Sequence, residues 1–305
     1  MKKGLTIIEL LVVIGIIAVL TGVLLGTFAG GTESARAARC LSNLKNLASA
    51  AQVAGTSGNA ATQKNSYMPL AGSKQIYSAD SSEGSQNVTE KYTEERGWIS
   101  WDSRNAYPSS SGVAKSSWTI PMYEENDERR LYALTNGVIW KYTGGNRNVY
   151  VCPSHTQAKK QLNPNYSYVM NPVFGWSPDP AEDLWVAEDI YPNVDRAKAE
   201  RRLLFAEIPF ADIGHQPQND GAYEVDAILQ YHGCTDEGSF EETIGFNHKS
   251  GNFYCAHIVF QDGHIDKLRW PKEGLSESQE RELAEWLCEG EDVAFDGKKY
   301  VKMEN

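Results

Sequence analysis

Positive charge is scarce in this chain. Its 305 residues carry 29 Lys and Arg against 40 Asp and Glu, a formal net charge of −11. Residues 1–60 hold Lys2, Lys3, Arg36, Arg39 and Lys45 against Glu9 and Glu33, a net of +3, so residues 61–305 carry −14. An acidic surface of that size repels a phosphate backbone, which excludes a nucleic-acid groove. Chemical motifs are missing too. The chain has no G-x-S-x-G, no H-E-x-x-H and no nucleotide-binding glycine loop, so nothing marks it as an enzyme or calls for a cofactor. There is no D-x-[DN]-x-[DN]-G loop, and Asp179, Glu182 and Asp183 therefore read as solvated charge rather than calcium ligands. No internal repeat is present.

What is abundant is apolar length at the start. From Leu5 to Ala29 runs a 25-residue, almost uninterrupted apolar span carrying one acid, Glu9. A bilayer needs roughly 20 such residues. An ordinary secretory signal would end its apolar core after about 7–15 residues at an A-x-A site, whereas this span continues through Val23, Leu24, Leu25 and Phe28. A plain anchor explains the length but not Glu9. A carboxylate in a membrane-length helix costs about 2.5–3.5 kcal/mol if central and needs a charged partner, and the span supplies none.

Lys2, Lys3, Gly4, Leu5, Thr6, Ile7, Ile8 and Glu9 supply the missing logic. A short basic leader ends in glycine, and an apolar residue, Thr, two apolar residues and Glu follow. The pattern resembles the leader of type IV prepilins and type II secretion pseudopilins. The resemblance implies cleavage between Gly4 and Leu5 by a prepilin peptidase, N-methylation of Leu5, and pairing of Glu9 with the new amino terminus of a neighbouring subunit. It also implies a place in the bacterial inner membrane as a single-pass protein. The N-terminus would be cytoplasmic and the head periplasmic, with assembly through the helix into a pilus-like filament or a secretion pseudopilus alongside other pilin subunits and an assembly platform. Gly15, Gly22 and Gly26 form a small-residue stripe suited to close helix packing. Many pilins carry a helix-breaking proline about where this chain has Gly26.

The helical pattern does not stop at Ala29. Ala35, Ala38, Leu41, Leu44, Leu47, Ala48 and Ala51 recur at three- and four-residue spacing, which predicts one helix from Leu5 to about Ala54. Residues 55–97 shift to Gly, Ser, Asn, Thr and charge and read as a polar loop region. Residues 98–305 form the head. Within it a second helix is expected from about Asn126 to Lys141 with a stop at Gly144-Gly145. Strands are expected at 149–152, 166–170, 202–206, 254–260 and 264–268. Ser276 with Gln279 has the form of a capping box for a last helix carrying Leu283, Trp286 and Leu287 inward, closed by Gly290. The fold class is α+β: a long N-terminal helix packed on a mainly antiparallel sheet.

Stretches beyond the leader, Arg39 to Lys45 in the helix and Val151-Cys152-Pro153-Ser154, Ser167-Tyr168 with Asn171, and Phe260 to His264 in the head, resemble a large-headed pilin-like family with an H-x9-D-G signature. It is common in planctomycete, verrucomicrobial and lentisphaeral bacteria. Here thirteen residues separate His248 from Asp262, which suggests an inserted turn around Asn252 to Cys255.

Five cysteines, Cys40, Cys152, Cys234, Cys255 and Cys288, are odd in number, so at least one is not paired within the chain. Cys40 with Cys152 is the candidate disulfide, stapling the helix to the first strand of the head. His248, His257, Asp262 and His264 cluster in sequence and are residues of metal-ligand type, but a hairpin turning at Asp262-Gly263 explains them without a metal. Cys255 with His257, or Cys152 with His155, lacks the third orienting group a nucleophile needs. Trp98, Trp101, Trp118, Trp140, Trp176 and Trp185 leave an alternative open, a displayed module binding glycan through an aromatic face or metal through the histidines, against the commoner fate of core aromatics.

Overall fold

The computed structural model describes residues 7–57, 68–69, 74–76, 93–95, 97–99, 120–121, 134–158, 164–174, 177–179, 184–186, 196–210, 224–225, 227, 229 and 243–303. Glu9 and residues 18–31, 74–76, 93–95, 120–121, 157–158, 177–179, 184–186 and 224–225 are described as backbone only. The fold is α+β.

Helix α1 runs unbroken from Ile7–Thr56, 50 residues and about 75 Å at 1.5 Å per residue. Its C-terminal third packs on the head, where Cys40, Leu44, Leu47, Ala48, Ala51 and Ala54 are fully buried. Ala35 and Ala38, expected on the same stripe, are exposed, so the fully buried apolar stripe begins only at Cys40, although Glu33 already reaches the head. Among the described residues no helix is long and apolar enough to cross a membrane. Of the expected span from Leu5 to Ala29, residues 5–6 and the side chains of Glu9 and 18–29 lie outside what the structure describes.

The head is organised by a five-stranded antiparallel sheet: β1 (Tyr168–Met170), β2 (Leu203–Glu207), β3 (His248–Ser250), β4 (Phe253–Phe260) and β5 (Ile265–Arg269). The order is β5-β4-β2-β1, with β3 also paired to β4. Strand β4 is long enough to serve two partners on one side, pairing β3 through Cys255↔His248 and β2 through Ile258↔Ala206. The extra residues between His248 and Asp262 therefore build a second hairpin. Gly251 turns it at φ 63°, a left-handed conformation that glycine adopts without strain. The β4–β5 hairpin turns at Asp262-Gly263 as the dipeptide predicts, with Gly263 at φ 91°.

Helix α3 (Glu277–Glu289) starts at a complete Ser276/Gln279 capping box and ends at left-handed Gly290. Leu283 and Leu287 are buried and Trp286 is half-buried. A C-terminal hairpin, Val293–Phe295 with Tyr300–Lys302, follows.

Two expectations are corrected. Residues 149–152 are not a strand. Arg147–Val149 is a 3₁₀ turn and Pro153–Ala158 a short helix, α2, because Asn146 caps the turn by accepting the Asn148 N–H at 3.1 Å. The second helix is described only at 134–136, and the region ends as a 3₁₀ turn, Trp140–Thr143, stopped at Gly144 with φ 68°. The polar region 55–97 contributes a two-stranded ladder, Lys74–Ile76 with Thr93–Glu95.

Candidate functional site

The strand registers place one set of polar side chains on a single sheet face. Glu207 is opposite Tyr168, and Cys255 is opposite His248. Phe205 is opposite Val259, so Glu207 and His257, each two residues away along its own strand, share that face. Against the face lies the stretch of α1 that carries Cys40, and the segment entering α2 brings in Cys152.

Glu207 is the hub, with no solvent exposure. Its Oε1 lies 2.8 Å from His248 Nε2 and accepts from Cys40 Sγ at 2.6 Å. Its Oε2 accepts the His257 backbone N–H at 2.9 Å. His248 is held at both nitrogens, since Nδ1 lies 3.0 Å from Glu33 Oε1 and Nε2 also lies 3.5 Å from Cys152 Sγ. Glu33 is fixed in turn by the Ser154 hydroxyl at 2.9 Å and by Arg36 at 3.2 Å. Tyr168 donates to Cys40 Sγ at 3.2 Å. Ser167 Oγ accepts the Cys152 N–H at 2.9 Å and meets His155 Nδ1 at 2.8 Å.

Charge follows from this geometry. Burial opposes ionisation of Glu207, yet the facing charge of His248, joined in acid by a protonated His257, outweighs it and brings the carboxyl down to about 2. Burial likewise opposes a charged His248, and Glu207 together with Cys152 overcomes it, pushing the imidazole up to about 12. His257 goes the other way. Burial, reinforced by His248, drives it down to about 4, so it is neutral. Burial and the neighbouring Cys152 raise the Cys40 thiol well above its usual range. Burial also opposes the Cys152 thiolate, but hydrogen bonds from Cys40 and His248 lower that thiol. The neutral His257 ring stacks on His248 at 4.2 Å. It is fully buried and neither of its nitrogens makes a hydrogen bond, although Nδ1 stands 3.5 Å from Glu207 Oε2.

The sequence cluster of His248, His257, Asp262 and His264 is therefore divided. The first two join the buried site. Asp262 and His264 lie on the exposed β4–β5 turn, where they contact each other at 2.6 Å with side chains 40% and 45% exposed, and the His264 ring stacks on Phe260. The expected Cys40–Cys152 bridge is not formed. Both residues reach the same site, but as free buried thiols. Neither suggested nucleophile–base pair is arranged as one, because the Cys152 sulfur faces His248 rather than His155 and the His257 ring makes no hydrogen bond. The aromatic face is not assembled among the described tryptophans: Trp98 is fully buried with its indole N–H on the Ala227 carbonyl, and Trp140 packs half-buried on Tyr150. Trp101, Trp118, Trp176 and the side chain of Trp185 lie outside the described residues. So do Gly4, Leu5 and the side chain of Glu9, while Gly22 and Gly26 fall where only the helical backbone of α1 is described. At Gly15 an added Cβ would meet nothing within 4 Å.

Sequence reasoning missed Glu207, a lone acid at the end of a hydrophobic strand, and the two residues that deliver His248 to it. The Gly245 N–H donates to the Glu207 carbonyl, and a Cβ at Gly245 would fall 2.1 Å from the Ile208 oxygen. Asn247 accepts the Phe210 N–H at 2.9 Å and donates to the Ile208 carbonyl at 2.8 Å. A phrase such as Gly-Phe-Asn-His carries no chemistry until it lies beside β2. In comparisons with known proteins, no family model matches this chain, and neither a curated protein nor a solved structure matches it.

Proposed function

We propose that this chain is a pilin-like structural subunit. It is inserted in a bacterial inner membrane with its N-terminus inside, trimmed between Gly4 and Leu5 by a prepilin peptidase, methylated on Leu5, and assembled through α1 into a filament of the type IV pilus or type II secretion kind. No catalysis is required of the head. The observation that carries the reading is the division of one continuous helix between two surroundings. The side chains of Ile7, Ile8, Leu10 to Ile14, Ile16 and Ile17 stand about half exposed or more, whereas Leu44, Leu47, Ala48, Ala51 and Ala54 are buried in the head. An apolar rod of that kind needs a solvent of its own, lipid before assembly and neighbouring helices after it. The leader pattern supports the same account, because cleavage creates the ammonium that answers Glu9.

Intact-mass and N-terminal analysis of the membrane-extracted protein tests it. Loss of Met1 to Gly4 with about 14 Da added at Leu5, one methyl group, is the expected result. A native chain that retains Met1 overturns the proposal.

A further inference from the structure

We propose that Cys40, Cys152, Glu207 and His248 form a closed metal site that takes one zinc-like divalent cation and clamps the stalk helix to the head. Cys40 Sγ, Cys152 Sγ, Glu207 Oε1 and His248 Nε2 all lie within 4.8 Å of one another, and all four residues are buried. They come from α1, the entry to α2, β2 and β3, so their convergence is a product of the whole fold rather than of local sequence spacing.

The donor set fits the cation. Two thiolates, an imidazole and a carboxylate suit a borderline-soft ion in tetrahedral geometry, and bonds of about 2.0–2.3 Å put neighbouring ligand atoms about 3.3–3.8 Å apart. The Cys152–His248 edge is already 3.5 Å. The Cys40–Glu207 and Glu207–His248 edges, at 2.6 and 2.8 Å, need to open by less than about 1 Å, within reach of a carboxylate rotation. Binding exchanges the protons carried by the two thiols and by His248 Nε2 for the ion.

The surroundings are those of a ligand shell. A metal-bound histidine characteristically offers its second nitrogen to a carboxylate, and His248 Nδ1 lies 3.0 Å from Glu33. Glu207 is oriented through its other oxygen by the His257 N–H, and Cys40 by the Tyr168 hydroxyl. The fully buried His257 ring lies flat against His248 and packs it in place without being a ligand. With four protein ligands the coordination sphere has no open position for water or substrate, which makes the site structural rather than catalytic. The site does not depend on the filament reading. If that reading also holds, the head faces an oxidising compartment where the nearby thiols would otherwise cross-link, and metal ligation is the competing fate.

The test uses the full chain, extracted in detergent and carrying no polyhistidine tag, loaded with zinc or cobalt(II) and desalted. The expected result is about one zinc per chain, a cobalt form with thiolate charge-transfer and tetrahedral ligand-field bands, and thiols that become reactive only when a chelator is added. Cys152→Ser and His248→Gln each abolish stoichiometric loading, while Cys288→Ser, at a buried thiol elsewhere, retains it. The wild-type cobalt spectrum stands even if a ligand variant does not fold. The proposal is overturned if the wild-type protein takes up no metal, if the freshly purified chain carries a Cys40–Cys152 disulfide, or if loading survives both ligand substitutions.

Discussion

Between Ile7 and Ile17, α1 presents nine large apolar side chains at 49–78% exposure, whereas from Cys40 to Ala54 the same helix sinks Cys40, Leu44, Leu47, Ala48, Ala51 and Ala54 into the head at zero exposure. The backbone is the same in both halves and the hydrophobicity is greater in the first. Apolar character alone therefore does not decide what a helix buries against. Apart from Glu9, the sequence of the lower stretch is apolar on every side, which suits an environment that surrounds it. The upper half is apolar on one stripe, with Arg39, Lys45 and Asn46 exposed outside it, and that pattern suits a single packed partner.

The largest effect is expected in the upper half, where Leu47→Ala leaves a cavity beneath the sheet and lowers head stability by about 2–5 kcal/mol, measured by denaturant unfolding of the detergent-solubilised chain. An unchanged midpoint would mean that the helix does not pack there. A smaller loss, about 1–3 kcal/mol, is expected for Asn43→Ala. The amide of buried Asn43 donates to the carbonyls of Asn148 and Val151, both at 2.9 Å, and its removal strands them in the interior. The smallest effect on the head is expected for Ile14→Ala, within about 0.5 kcal/mol, together with impaired filament assembly seen by cross-linking or microscopy. Loss of head stability with normal assembly would reverse the assignment of the two halves.

Much of the frame was legible from short-range signals. The Asp262-Gly263 turn, the capping box at Ser276 and the Gly144 stop depend on neighbours a few residues away, and local chemistry dominates there. The stretch at 149–152 misled because a β-branched and aromatic run resembles a strand, while the Asn146 cap and Pro153 favour turns on either side. The site was only half visible. His248, Cys40 and Cys152 were identified singly, for a loose histidine cluster and for a disulfide, and Glu207 was overlooked. What joins them is strand register: β4 serves both β2 and β3 on one side, and that arrangement sets Glu207 against His248 across 41 residues of sequence.

Helical periodicity, β-branched runs and turn dipeptides by themselves determined that this chain has one long helix and an antiparallel sheet, and composition its net charge of −11, since each depends on residue type at short spacing. The tertiary structure alone decided that two cysteines, a glutamate and a histidine from four separate elements would meet in one buried cluster, because burial and long-range register are properties of the folded chain that no local spacing encodes.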